Sequence, residues 1–380
     1  MPAFFMRSLS RQGQRRMAWT FSWVATTTTT DICTIPMVRA VSSDAGNSYQ
    51  AIKELASRLK QAELVRLPRL ETSPEPMEPR SKLEEKRLLS EIACEVCKTY
   101  ETLPSLKLPL SDTCERARIM MFLSRECSPK MDIVSMASQH FVDKWNAGVP
   151  MSTRLQANAI AHLQKASTPA YEEILEYILK RDALTGMRFL IALRVDILRA
   201  LDWIHASAKD DERFPHLEDL DAYLLRLFSL WFSPGMLELK RITYDETPAS
   251  VIEFIATREA VHPMKSLDDL RTRLGAGRRV LALFHPLLKN EPLLFVHVAL
   301  THDVPSGMRQ VMENLPDGHQ ACATFYSITN AQPALVGIGL GEYLLKESIG
   351  LLKNEFPSLQ HFVTLSPIPK FRKFDDSVLS

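Results

Sequence analysis

Ser366 stands between Leu365 and Pro367, with Ile368 and Pro369 following. A residue before proline is pushed to extended backbone. Two prolines therefore make a stiff loop and fix the direction of the hydroxyl. That suits hydrogen bonding or proton relay; a capping serine in a rigid turn fits the same residues. A second stretch has ligand-binding character: Val336, Gly337, Ile338, Gly339, Leu340, Gly341 and Glu342. Glycines at alternate positions let backbone approach a ligand closely. The first N–H groups of a following helix lack internal partners and lie at the positive end of its dipole. Phosphates bind readily at such a place. The spacing is neither Gly-x-Gly-x-x-Gly nor a Walker loop, so a tight turn and an anion cradle both remain open.

Other chemistry-bearing residues are less patterned. His262, His285, His297, His302, His319 and His361 are available for acid–base work. His297 lies inside an apolar run and reads as a core residue. His262 precedes Pro263 and reads as a loop residue. None has a spacing that pairs it with Ser366, and no Gly-x-Ser-x-Gly elbow is present. Cys94 and Cys97 have metal or redox spacing, but no second close pair or His pair completes a zinc site. Six scattered cysteines in 380 residues make no disulfide framework. They read as structural thiols, and no metal is expected.

The elements that must position these residues follow from periodicity. An apolar strand, Ala321 to Ile328, leads into the glycine turn, and an amphipathic helix follows to about Glu355. A second strand then ends at Leu365. Further upstream, Leu237 to Tyr244, Arg279 to His285 and Leu293 to Leu300 read as strands. Pro248 to Arg258 and Ser266 to Leu274 read as helices, the second capped by Ser266 with Asp268 and Asp269 in its first turn. Val304 to Leu315 reads as a short helix. This is a mixed α/β layer, antiparallel strands first and then a right-handed β-α-β unit.

No strand signal appears before about residue 236. Residues 80–231 read as an all-helical domain, with apolar residues recurring three and four apart: Leu88, Ile92 and Val96, or Phe189, Leu193 and Ile197. One helix is expected with Thr168 as N-cap and Pro169 at its first position. Residues 46–79 read as a helix and a proline-rich linker, Pro68 to Pro79. Residues 1–45 begin with Arg7, Arg11, Arg15 and Arg16 and are rich in serine and threonine, as in a mitochondrial transit peptide or disordered leader. Domain 232–380 carries the candidate chemistry.

Composition bounds the rest. The apolar fraction is 46% and the charged fraction 24%, as in globular proteins. A net charge of +1 supplies no global field for nucleic acid or an anionic membrane. No apolar run reaches the ~18 residues of a membrane span, so the chain reads as soluble.

Long stretches resemble malonyl-CoA decarboxylases. They include Thr168-Pro169-Ala170-Tyr171, Trp231 to Gly235, Glu259-Ala260-Val261-His262-Pro263, Glu291 to Thr301, Phe325 to Ile328, Leu340-Gly341, Glu355-Phe356-Pro357 and Thr364 to Pro369. Together they cover roughly residues 115–374. The resemblance implies a helical oligomerisation domain followed by an N-acetyltransferase-like (GNAT-like) domain, hence an α plus α/β fold class. It implies malonyl-CoA as substrate and a homo-oligomer as assembly. It implies CoA bound at Val336 to Glu342, Ser366 as the catalytic serine, and no cofactor beyond the CoA of the substrate. The reaction implied is loss of CO2 to give acetyl-CoA, within fatty acid metabolism.

The chain also departs from the family. Gly339 stands where some members have a serine-orienting glutamate, and Lys370 where glycine is usual. The Phe-His-x-x-Asn-Gly segment that carries the family's proton-relaying histidine is not in this sequence, which ends at Ser380. The expectation is an incomplete catalytic domain, with a formed CoA cradle and poor or no turnover. A CoA-binding partner subunit and an acyl-CoA N-acyltransferase are the alternatives.

Overall fold

The structure is a computed structural model. It describes residues 4–8, 45–64, 79–108, 110, 114–146, 154–207, 211–259, 261–312 and 320–367. The chain divides into two compact units, Val38–Leu227 and a second made of Met1–Met37 with Phe228–Ser380. Most of the expected leader, the Pro68 to Pro79 linker apart from Pro79, Cys33, His319 and the tail from Ile368 onward lie outside the described residues.

The element order opens with a strand, β1 (Phe4–Ser8), followed by helices α1 (Ala45–Leu64), α2 (Pro79–Thr102) and α3 (Glu115–Met121). Next come α4 (Met131–Asn146), α5 (Arg154–Ser167), α6 (Ala170–Arg181), α7 (Ala183–Ser207) and α8 (Phe214–Trp231). In the helical unit α1 packs on α2, α2 on α6, and α6 on α7. The α6–α7 approach is close because Gly186 has no side chain: a β-carbon there would come within 3.0 Å of the Leu179 Cα. Helix α7 buries Leu190, Leu193 and Ile197 together with Arg194 and Asp196. Arg194 Nε donates to Asp221 Oδ1 of α8 at 2.8 Å, which neutralises a charge that could not otherwise be buried.

The expected cap at Thr168 is displaced. Pro169 occupies the N-cap of α6, while the Thr168 hydroxyl donates backwards to the Gln164 carbonyl at 2.8 Å. The end of α5 has orphan carbonyls, and it takes the hydroxyl that the next helix would have used.

The second unit continues with β2 (Glu238–Ile242), α9 (Ala249–Arg258), α10 (Leu267–Arg273), β3 (Arg278–Phe284) and β4 (Leu294–Thr301). Then follow α11 (Met308–Met312), β5 (Cys322–Asn330), α12 (Leu340–Glu355) and β6 (His361–Pro367). Ser266 caps α10 as its sequence suggests, its hydroxyl accepting from the Asp269 N–H at 3.2 Å. Among the described residues the strands form one six-stranded sheet, ordered β1-β6-β5-β4-β3-β2. Neighbours are antiparallel except β5 and β6, which are parallel and joined through α12.

Strand alternation sorts the two faces. Val280, Ala282 and Phe284 of β3 pack with Val251, Ile252 and Ile255 of α9. Arg279, of opposite parity, reaches Glu355 at the end of α12, with Nη2 and Oε1 2.6 Å apart. The sheet is thus covered by α9 and α10 on one face and by α12 on the other. Strand β1 overturns the expectation of no strand before residue 236. Its partner β6 lies more than 350 residues away, and local pattern carries no trace of so distant a pairing.

Candidate functional site

Strand β5 ends at Asn330, whose side-chain oxygen accepts from the Gln332 N–H at 3.1 Å. A short helical turn, Pro333–Leu335, then delivers the chain to the glycines. Gly337 and Gly339 have φ of 91° and 82°, the left-handed region that other residues avoid. Gly339 is the N-cap of α12 and contributes no side-chain cap. The residues usual at that position would have spent a side-chain oxygen on the first-turn N–H groups. Open space surrounds the positions where β-carbons would stand on Gly339 and Gly341. Leu340 is buried and anchors the helix start, whereas Val336 is exposed. Glu342 in the first turn forms an exposed pair with Lys346 at 2.7 Å, which offsets a charge that would oppose an anion. The result is an uncapped 16-residue helix with an open, glycine-lined N-terminus. That geometry can hold phosphate.

Ser366 lies on β6, opposite Phe5 in the β1 ladder. Its backbone is extended, as the following proline requires. Its side chain, and the Ile368-Pro369 half of its motif, lie outside the described residues.

The histidines sort by environment. His285 Nδ1 accepts from the Leu287 N–H at 3.2 Å, so it caps a turn, and burial pushes its pKa down. His361 and His302 are exposed. His262 is half-buried with its pKa lowered by burial, and its ring centroid is 6.0 Å from that of Tyr326. His297 is fully buried, as a core residue should be. Its Nε2 lies 3.1 Å from Glu259 Oε2, though not aligned as a hydrogen bond.

Glu259 was legible only as part of a longer motif, and it proves to be the centre of a buried polar cluster. It follows the last residue of α9 and accepts from the Val261 and His262 N–H groups at 2.9 Å each. The Ser327 hydroxyl donates to it at 2.7 Å and the Thr329 hydroxyl at 3.3 Å. Burial acts to raise its pKa. His297, the His262 N–H and the Ser327 hydroxyl outweigh that and hold it down at about 2. Its strand partners are 68 and 70 residues distant, beyond the reach of any local pattern. The one available signal was a carboxylate at a helix end, followed by the apolar Ala260 and Val261.

Cys94 and Cys97 lie on one face of α2 and line a cavity of about 150 Å3 with Tyr177, Arg181 and Asp182. Burial pushes the Cys97 thiol up to about 12, the behaviour of a structural cysteine. Among the described residues no group of three or more metal-ligating side chains occurs, and no helix is long and apolar enough to cross a membrane.

Comparison with known proteins gives a consistent picture. Residues 132–232 match the malonyl-CoA decarboxylase N-terminal domain and residues 235–379 the malonyl-CoA decarboxylase C-terminal domain. The mitochondrial malonyl-CoA decarboxylase of Mus musculus is 34% identical over 268 residues, 66% of this chain and 52% of that protein. That of Rattus norvegicus is 36% identical over 218 residues, 56% of this chain and 42% of the relative. The chain thus spans about half the length of the curated relatives it matches. The crystal structure of malonyl-CoA decarboxylase from Agrobacterium vitis superposes with a TM-score of 0.62 at 27% identity, covering 86% of this chain and 68% of that one. The Rhodopseudomonas palustris structure gives 0.62 at 28% identity, covering 87% and 69%.

Proposed function

The chain belongs to the malonyl-CoA decarboxylase family, and from this we propose that it binds malonyl-CoA and converts it to acetyl-CoA and CO2. The observation that carries the reading is the uncapped, glycine-lined start of α12, with two left-handed glycines and open space before it. Residues Val336 to Glu342 hold the pyrophosphate there. Cleavage of the carboxylate carbon releases CO2 and leaves an enolate of the thioester, which hydrogen bonds must stabilise. A proton delivered to carbon completes acetyl-CoA, and Ser366 is the proposed relay.

The test pairs CoA titration calorimetry with release of labelled CO2 by the purified chain. Whatever turnover the unaltered chain shows, Ser366→Ala is expected to lower it about a hundredfold while CoA affinity stays within about twofold. Unchanged turnover removes Ser366 from the chemistry, and absence of CoA binding removes the cradle. CoA binding without turnover in the unaltered protein points to a non-catalytic CoA-binding member.

The domain 232–380 is read as GNAT-like. Four antiparallel strands, β2 to β5, followed by a helix and a parallel strand support this, with the glycine turn at the start of that helix. A crystal structure with CoA bound away from the α12 N-terminus would end the reading.

Residues 80–231 are read as an oligomerisation domain. Support comes from α4, which leaves Met131, Met136, Val142 and Trp145 exposed, more apolar surface than one helix normally shows to water. Light scattering is expected to give a multiple of the chain mass, reduced by Trp145→Glu. A monomeric mass for the unaltered protein removes this reading.

Residues 1–45 are read as a mitochondrial address. A fusion of these residues to a fluorescent protein is expected to accumulate in mitochondria; diffuse cytosolic signal contradicts it.

A further inference from the structure

Ser90, Cys94, Cys97 and Glu101 recur at helical spacing and form one stripe along α2. That stripe and the α6 residues Tyr177 and Arg181 line the cavity of about 150 Å3 in the helical unit. The proposed CoA chemistry uses none of these residues. Cys94 and Cys97 are free thiols, the first half-buried and the second buried. The Arg181 guanidinium donates a hydrogen bond to the Cys94 sulfur, which raises the arginine's own pKa. A thiol beside a guanidinium, with a second thiol one turn away, is more than packing at this place requires.

Spacing decides what the two sulfurs can do together. Side chains three apart on a helix have β-carbons about 5–6 Å apart. A disulfide needs about 3.5–4.5 Å, so direct bridging would distort α2, which packs on both α1 and α6. An ion between the sulfurs adds two metal–sulfur bonds of about 2.3 Å each and spans the wider gap. The ligand set then selects the ion. Among the described residues no group of three metal-ligating side chains forms. The Asp182 carboxylate of the same cavity is already engaged, accepting from the Thr185 hydroxyl at 2.8 Å and the Leu184 N–H at 3.0 Å. Zinc would stand two ligands short of its tetrahedron. Soft thiolates alone suit Cu(I). A monovalent ion between two thiolates leaves a single net negative charge, and the Arg181 guanidinium at Cys94 offsets it.

We propose that Cys94 and Cys97 form a binding site for a two-coordinate soft cation, Cu(I), with Arg181 as its charge partner. Binding replaces two S–H bonds with two S–Cu bonds and releases two protons, with no change of oxidation state. Burial holds the Cys97 proton on, its thiol pushed up to about 12, so the metal must displace it and affinity rises with pH. The same burial keeps water from the bound ion. The site does not depend on the CoA reading, because it lies wholly within the helical unit.

The experiment titrates the full chain anaerobically with Cu(I) against a chromophoric Cu(I) chelator, beside its Cys94→Ser, Cys97→Ser and Arg181→Gln variants, and repeats the titration with zinc. Cys33, Cys114, Cys127 and Cys322 remain in every variant, so uptake by unrelated thiols is common to all. The unaltered chain is expected to hold one ion that both serine variants lose, and X-ray absorption to show two sulfur neighbours. Arg181→Gln is expected to weaken binding about tenfold. Should Cys97→Ser fail to fold, Cys94→Ser decides, since its side chain is only half-buried. Equal uptake by the unaltered chain and the serine variants, oxygen or nitrogen in the coordination shell, or zinc held as tightly as Cu(I) overturns the site. Unchanged affinity in Arg181→Gln removes the arginine from it.

Discussion

Replacing Glu259 with Gln should cost about 3 kcal/mol of stability at neutral pH, and that deficit should shrink as the solution is acidified. The Glu259 carboxyl goes from an ordinary 4.5 to about 2 in the folded chain. A carboxyl held below its unfolded value contributes stability that is fully present above the unfolded value. The contribution is lost as pH falls through the folded value. The window therefore opens near pH 4.5 and closes near pH 2. Gln cannot carry the charge, so the variant has no such component. Urea unfolding of the two proteins, compared from neutral pH down to about 2.5, reads the gap directly. A gap that stays constant with pH would falsify the charged state of Glu259. The physical reason for the size of the effect is enclosure. The side chain has no exposed surface, so water screens none of its contacts with His297, Ser327 and the loop N–H groups.

In the helical unit, Asp196→Ala should cost about 3–5 kcal/mol. Asp196 of α7 accepts from the Tyr100 hydroxyl of α2 at 2.6 Å and from Arg116 Nη1 of α3 at 2.9 Å. Arg116 also donates to the Leu103 carbonyl at 3.1 Å, and its guanidinium lies 4.5 Å from the centre of the Tyr100 ring. Burial, with the Asp196 charge beside it, pushes the Tyr100 pKa well up, so the phenol remains a donor. Removal of the carboxylate leaves a largely buried guanidinium and a buried phenol without their shared acceptor. The Tyr100→Phe change removes one donor and leaves the charge pair intact. It should cost about 1 kcal/mol. Native-state hydrogen exchange over α2, α3 and α7 reports the difference locally. A loss below about 1 kcal/mol for Asp196→Ala would show that the carboxylate gains little over its own desolvation.

The legible parts of this chain share a cause. Ser266 announces α10 because a cap bonds three residues away. The central runs of β3 and β4 are largely apolar on both faces because both faces are covered, so they stand out as short continuous stretches. The alternate glycines were visible for the same reason, since left-handed backbone is a property of single residues. The Thr168 cap was misplaced by competition between two helix ends for one hydroxyl, which periodicity does not rank.

By itself, then, the sequence determined the order of elements in residues 80–367, the mixed sheet and the glycine turn that opens α12. These depend on contacts within a few residues, and side-chain type encodes them directly. Only the tertiary structure decided that β1 closes the sheet beside β6 and that Glu259 gathers Ser327, Thr329 and His297. Those are meetings of groups far apart in the chain. Their energy comes from burial and from the desolvation of charge, and neither exists until the sheet has formed.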